Sequence, residues 1–509
     1  MSERVLVIGA GIGGLCAALS LQPTGRQITL LERDHAPPSN DPDVTFLDWH
    51  RRGAGHVRQS HAFLARLRGI IKANHPELLE KLISLGVREL TFEMMLTPVQ
   101  RERYKPAPED SELTIVTSRR TTLELAIRTY VEQLPGVTIE TGVTVKRLLT
   151  RKEGDGPVEV VGVHAETANG PEDLEADLIV DSTGKSGFTL PQLMQEGANI
   201  KEEGESAGIL YFTRHYRLRP GQDEPDRTKN PPGNGDLGYL KFGVFPGDNG
   251  CFSITIAVPE IELELRKAIV DPDKFHAITL ELPGLRPWTN AERAEPRGKV
   301  YGMGNLVSRW RDMVVDETPA VLNYFAMGDT LVRTNPLYGR GCSFAAVSAE
   351  MLRETLDETS DPKERQLAYH KRIHRELKPY YLNQRSQDRA AIKRAEAALT
   401  PGSKRGWKAK LARSFFEDGV AIAVRKDVHL LRQAMRGFHM LEHPSKWLGR
   451  PGNLVKVLYI WARGKKHNAD AYPPRPGPKR DVMMKALAID YTADLRPALD
   501  AEATAARAA

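Results

Sequence analysis

Three glycines in the spacing Gly9-x-Gly11-x-x-Gly14 follow directly on the apolar run Val5-Leu6-Val7-Ile8, and the acid Glu32 closes a second apolar run, Gln27-Ile28-Thr29-Leu30-Leu31. Those residue types in that order can hold the pyrophosphate and ribose of a dinucleotide. Gly9 permits a tight turn, Gly11 omits the Cβ that would block a phosphate, and Gly14 lets the next helix close on the strand. The helical stretch Leu15-Cys16-Ala17-Ala18-Leu19-Ser20-Leu21 then turns its N-terminal N–H groups and the positive end of its dipole towards the phosphates. Glu32, with Arg33 beside it, is placed to receive ribose hydroxyls. A glycine-rich turn alone is common and structural. The succession of strand, turn, helix, strand and acid gives this one its meaning. It does not distinguish FAD from NAD.

Two later segments carry related chemistry. Residues 177–184 read as a strand ending at Asp181 and running into Ser182-Thr183-Gly184, and residues 325–330 as a second strand ending in Gly328-Asp329. A carboxylate at the carboxyl end of a strand sits where open α/β sheets bind ligands. Beyond it, Asn335-Pro336-Leu337-Tyr338-Gly339-Arg340-Gly341-Cys342 shapes a loop whose backbone can approach a flat ring closely. A small-residue helix begins near Cys342, and its N-terminal dipole favours negative charge on a reduced ring. The plainer reading of this segment is a βα turn with an ordinary cap. Alone it leaves both open; together with the N-terminal fingerprint it favours a flavin.

With these motifs in this order, the chain resembles the group A flavoprotein monooxygenase superfamily, whose members are similar to p-hydroxybenzoate hydroxylase, over roughly residues 1–355. The resemblance implies an α/β fold with a Rossmann-type, GR2-like FAD-binding domain. It implies that Gly328 and Asp329 hold the ribityl chain and that Asp181 and Gly184 lie near the dinucleotide. It also implies that Arg120, or Arg119 one register away, flanks the FAD. Arg52-Gly53, Arg58 and His61 are similar to a stretch of a bacterial branch that includes polyether epoxidases, which would lay Arg58 along the flavin. Gly9, Gly11, Gly14, Glu32, Arg33, Gly341 and Cys342 complete the expected cofactor set.

The implied activity is a monooxygenase of the kind used in secondary metabolism. It would use a flavin C4a-(hydro)peroxide to epoxidise or hydroxylate an apolar or aromatic small molecule. Pro336, Tyr338 and Gly341 of the flavin-facing loop, with Phe245 from the substrate region, form the expected catalytic surroundings; no protein acid or base is assigned. Dioxygen is the co-substrate. Electrons would come from NAD(P)H docking transiently or from a partner flavin reductase, because no second glycine fingerprint is present. Two signatures are missing: the Trp-x-Trp-x-x-Ile-Pro of tryptophan halogenases and the Pro-x-x-Tyr-x-Trp-x-Phe-Pro of geranylgeranyl reductases. Where many relatives read Gly-Gln-Gly-Met, this chain has Gly339-Arg340-Gly341-Cys342, and Arg340 is expected to point to solvent.

Four regions must position these residues. Residues 1–195 form the first part of the FAD-binding domain, with a substrate-facing insertion near 90–112. Residues 196–300 form an antiparallel substrate-binding sheet, in which residues 240–246, the turn 247–250 and residues 250–258 make a hairpin. Tyr211, Phe212, Tyr216, Phe242 and Phe252 on this sheet are expected to be core more often than pocket. Residues 301–360 return to the FAD-binding domain. Residues 361–509 form a helical, basic C-terminal extension with a stiff Pro-rich linker at 473–478 and a frayed end from Ala501. Between 441 and 480 its cations outnumber its acids and are interleaved with Trp447, Leu454, Val455, Tyr459 and Trp461, a pattern suited to resting on an anionic membrane surface.

The chain of 509 residues is 40% hydrophobic and 27% charged, which is ordinary for a multi-domain globular protein. Its 72 basic and 66 acidic residues nearly balance, and no nucleic-acid module accompanies them, so no nucleic-acid partner is expected. Three scattered cysteines build neither a disulfide framework nor a zinc site, and no metal is expected. Cys16 is expected in the core. The N-terminus leads straight into a strand and no stretch is long and apolar enough to span a bilayer. The expected location is therefore cytoplasmic, with peripheral membrane contact through 441–480 as a second option. An FAD-dependent dehydrogenase or reductase acting on a lipid-like substrate is the alternative function, and a non-catalytic flavin-binding protein the third.

Overall fold

Val5, Leu6, Val7 and Ile8 are all buried, as a strand covered on both faces requires. This strand, β1 (Arg4–Ile8), leads through the glycine turn into α1 (Ile12–Leu21) and back to β2 (Gln27–Glu32). Further on come α2 (Arg120–Val131), β3 (Val137–Thr141), β4 (Leu178–Asp181) and β5 (Tyr324–Ala326). They end with α3 (Gly341–Glu358) and α4 (Pro362–Glu376). The five strands form one parallel sheet in the order β5-β4-β1-β2-β3. The strand order reverses at β1, so the carboxyl ends of β1 and β4 flank the crevice where such sheets bind ligands. Ile8 lies in register with both Leu31 and Asp181. An antiparallel meander covering residues 144–175 belongs to the same unit.

The computed structural model describes residues 2–154, 156–227, 229–399 and 406–490. They divide into two units: residues 1–89, 118–206 and 307–385, and residues 90–117, 207–306 and 386–509. The second unit is built on a five-stranded antiparallel sheet containing Ile209–Leu218, Lys241–Pro246, Cys251–Pro259 and Ala294–Met303. Its expected hairpin is present, with Asn249 and Gly250 both at positive φ (53° and 69°) in the turn. Phe212, Tyr216, Phe242 and Phe252 are core residues under this sheet, packed with Trp288 and Phe275. All three cysteines are buried and unpaired.

The C-terminal stretch differs from its expected form as one helical extension. It divides at residue 385: α4 stays with the first unit and the later helices join the second. The segment 473–478 is not a free linker. Added Cβ atoms at Gly235 and Gly477 would come within 2.6 Å of Pro476 and Leu282, so it packs tightly on the second unit. It delivers the helix Arg480–Ala486, whose Met483 and Met484 enter the sheet's core. Arg480 pairs at 2.8 Å with the buried Glu262. The insertion near 90–112 is likewise packed. Arg432 of the helix Val428–Phe438 binds Asp110 at 2.5 Å and lies 5.5 Å from the rings of Phe92 and Tyr104. The expected frayed end from Ala501 lies outside the described residues.

Candidate functional site

The glycine turn is formed as its spacing requires. Gly9 has φ +97°, open to glycine without strain. A Cβ on Gly14 would meet the carbonyl oxygen of Gly9 at 1.9 Å, so α1 can close on β1 only with glycine there. A Cβ on Gly11 would instead make only ordinary contact, its nearest neighbour being a guanidinium nitrogen of Arg51 at 3.9 Å. Gly11 thus leaves the backbone approachable at the N-terminus of α1.

Around this turn lies a buried ionic network. Glu32 accepts from the backbone N–H groups of Ala10 and Asp34, both at 2.9 Å, which ties the glycine turn to the end of β2. Arg51 reaches Glu32 and Asp34 at 3.2 Å and Glu124 of α2 at 2.7 Å. Burial alone would lower its pKa, but Glu124, Glu32 and Asp34 outweigh burial and hold it above the ordinary arginine range. Glu124 also takes Arg120, at 3.3 Å. Burial favours its neutral form, yet the two guanidiniums hold its carboxyl below the usual range. Arg120 then donates to the thiol sulfur of Cys342, at 3.0 Å, at the start of α3. The chain of contacts therefore runs from the glycine turn to the N-terminus of α3.

At the far side of the crevice, Gly328 takes φ +57° and presents Asp329 on a short turn after β5. The Asp329 carboxylate is half-buried and accepts no hydrogen bond among the described residues. It lies 4.0 Å from where a Cβ on Gly341 would stand, beside the start of α3. His56 is half-buried and senses Arg120 and Asp329; burial first and Arg120 second push its imidazole below the ordinary range, so it is neutral at pH 7. Asn335 caps the turn Pro336–Tyr338, and Gly339 (φ +64°) ends it. Pro336 and Gly341 are exposed and Tyr338 is half-buried.

Several expected residues stand elsewhere. Asp181 is 0% exposed. It accepts from Thr183 N at 2.8 Å, Tyr324 Oη at 2.6 Å, Thr330 Oγ1 at 3.2 Å and the Thr189 hydroxyl. Those four donors make it an internal brace between β4 and β5 rather than a free ligand group. Arg58 donates to the carbonyls of Phe46 and Leu47 at 2.9–3.1 Å, drawn to the carbonyl-rich end of a short helix. Arg119 turns to Asp43 at 2.7 Å, which leaves Arg120 as the inward arginine. Arg33 is exposed, against Gly53. Arg340 is not in solvent: it is 3% exposed. It donates to Tyr380 O at 3.2 Å and lies 5.1 and 5.4 Å from the rings of Tyr338 and Tyr380. Partners some forty residues downstream bury it. Phe245 belongs to the second unit, half-buried on the strand Lys241–Pro246. Sequence reasoning missed Arg51, Asp34, Glu124 and His56. The only signal was their proximity in sequence to Arg33, Arg52 and Arg120.

Residues 7–59 match the model of the NAD(P)-binding Rossmann-like domain family. Over most of the chain, the fold is similar to that of solved flavin-dependent halogenases and monooxygenases. A triple mutant of the flavin-dependent brominase Bmp2 superposes with a TM-score of 0.57 at 16% identity, covering 91% of this chain and 99% of that one. PqsL, a probable FAD-dependent monooxygenase from Pseudomonas aeruginosa, gives 0.54 at 15% identity, covering 77% and 98%. In sequence, Protein Rv3254 of Mycobacterium tuberculosis is 26% identical over 378 residues, 70% of this chain and 73% of its own.

Proposed function

We propose that this protein is an FAD-dependent monooxygenase that epoxidises or hydroxylates an apolar or aromatic small molecule. One observation carries the reading: a single buried network from Glu32 through Arg51, Glu124 and Arg120 to Cys342 joins the glycine turn at the N-terminus of α1 to the N-terminus of α3, beside which Asp329 stands. In this reading Gly11 and the first N–H groups of α1 receive the pyrophosphate. Glu32 offers carboxylate oxygen to the adenosine ribose, with Arg33 at its rim. Asp329 accepts from a ribityl hydroxyl. The N–H groups at Gly341 and Cys342 favour negative charge at the adjacent edge of the ring. Pro336 and Tyr338 border the ring and keep water from it, and His56 stays uncharged beside Arg120. Bound and reduced, FAD supplies the activation of dioxygen. The assignment of Phe245 and its sheet to the substrate, and of NAD(P)H or a partner reductase as electron source, rests on the resemblance.

The test is to purify the protein, identify its flavin after release, reduce it anaerobically and admit isotopically labelled dioxygen with candidate apolar substrates. One labelled oxygen atom in a hydroxylated or epoxidised product is the expected result. Protein that neither retains nor binds FAD overturns the reading.

A second reading, a dehydrogenase or reductase acting on a lipid-like substrate at a membrane, draws on one feature. The helix Pro451–His467 buries Val457 but leaves Val455 64% and Tyr459 60% exposed, beside Arg463, Lys465 and Lys466. Among the described residues no helix is long and apolar enough to cross a membrane. Substrate turnover without dioxygen, together with sedimentation on anionic vesicles, selects this reading over the first.

A further inference from the structure

Outside the dinucleotide crevice, the first unit holds a second cluster with ligand chemistry. On α4, His370 and His374 are four residues apart and so share one helix face. They face the strand Val307–Asp312, which ends in Asp312. One nitrogen of each imidazole and one oxygen of Asp312 lie within 4.8 Å of one another. The two rings stand 4.0 Å apart, and His374 Nε2 is 2.6 Å from Asp312 Oδ1. His370 makes no hydrogen bond among the described residues. Helix-borne imidazole pairs at this spacing, joined by a carboxylate, are a ligand set for zinc-like ions.

We propose that Asp312, His370 and His374 bind a divalent transition-metal ion of the zinc class, which fastens α4 to the strand Val307–Asp312. Bonds of about 2.0–2.2 Å to a tetrahedral ion place ligand atoms about 3.3 Å apart, within reach of small side-chain rotations here. Two imidazoles and one carboxylate suit zinc, cobalt or nickel; magnesium and calcium demand more oxygen ligands than the cluster holds. The carboxylate is already oriented from outside, as metal-bound groups are. Trp310 Nε1 donates to Oδ1 at 2.7 Å, leaving that oxygen a second lone pair, and Lys378 approaches Oδ2 at 3.5 Å. The Lys378 charge is shared with Glu203, also at 3.5 Å. Nearby Arg311 is held by Glu202 at 2.7 Å. Both cations are thus compensated without using Oδ1. The His374 side chain is 34% exposed, so an ion and a completing water can reach the site.

Tag-free protein, freed of metal by dialysis against a chelator, would be titrated with Co2+ alone and followed by visible absorption. The expected result is a saturable d–d band at one ion per chain, erased by a stoichiometric amount of Zn2+, with a rise in thermal midpoint for Zn2+ and none for Mg2+. His370→Ala removes a ligand without breaking a hydrogen bond and should weaken Co2+ binding at least tenfold while leaving far-UV circular dichroism and flavin content unchanged. No band in the wild type overturns the proposal. So does a band that persists in the His370→Ala, His374→Gln double variant.

Discussion

At the scale of single residues, Asp329 is the most exposed to test. It is a half-buried carboxylate that accepts no hydrogen bond among the described residues, held at the end of β5 by the left-handed Gly328. A hydrogen bond to a charged group contributes about 1.5–3 kcal/mol, so Asp329→Ala should weaken FAD binding roughly 10- to 100-fold. Quenching of flavin fluorescence on titration into apoprotein measures this, and an unchanged dissociation constant would remove Asp329 from the cofactor site. The place of Asp329 was legible in the sequence because it depends on its own strand end. Asp181 has the same local signature but the opposite fate, because Tyr324, Thr330 and Thr189 converge on it.

At the scale of elements, the notable packing is that of the last helix. Arg480–Ala486 inserts Met483 and Met484 beneath the antiparallel sheet, together with Phe275 and Leu282. Truncating a buried methionine costs about 2–5 kcal/mol. Met483→Ala should therefore lower the denaturant midpoint of the second unit, with intrinsic fluorescence from Trp288 in the same core as the probe. Little change would mean that the helix only decorates the surface. The periodicity of α1 and the alternation of the hairpin strands were readable from sequence, since each depends on near neighbours. The docking of residues 473–486 was not, because Gly235, Leu282 and Glu262 lie some two hundred residues earlier.

At the scale of the molecule, pH reports on buried imidazoles. His439 is 2% exposed, and neither ring nitrogen has a hydrogen-bond partner among the described residues. Burial lowers its pKa from 6.5 to about 4. The unfolded chain therefore takes up this proton first as pH falls. Its contribution is fully present above about pH 6.5 and is lost as pH drops towards 4, by up to about 3 kcal/mol at 1.36 kcal/mol per unit. The thermal midpoint of the wild type should fall across that window, and His439→Leu should flatten the fall. Equal slopes in both proteins would place the acid sensitivity elsewhere.

The sequence by itself determined the βαβ start of the parallel sheet, the glycine turn and the position of Asp329. Each is written in residues within about thirty positions of one another, where backbone sterics and hydrophobic period decide the outcome. Only the tertiary structure decided which charges are ligands and which are braces. Arg340 was expected in solvent and is enclosed by Tyr338 and Tyr380. Arg58 was expected along a ring and caps backbone carbonyls. Arg51, to which no role was given, holds three acids from two segments, Glu32 and Asp34 at and just after the end of β2 and Glu124 on α2. A buried charge takes its role from whichever opposite charges the fold gathers around it, because its desolvation must be offset at short range. Some of those partners come from distant parts of the chain, as Glu124 does for Arg51 and Tyr380 for Arg340.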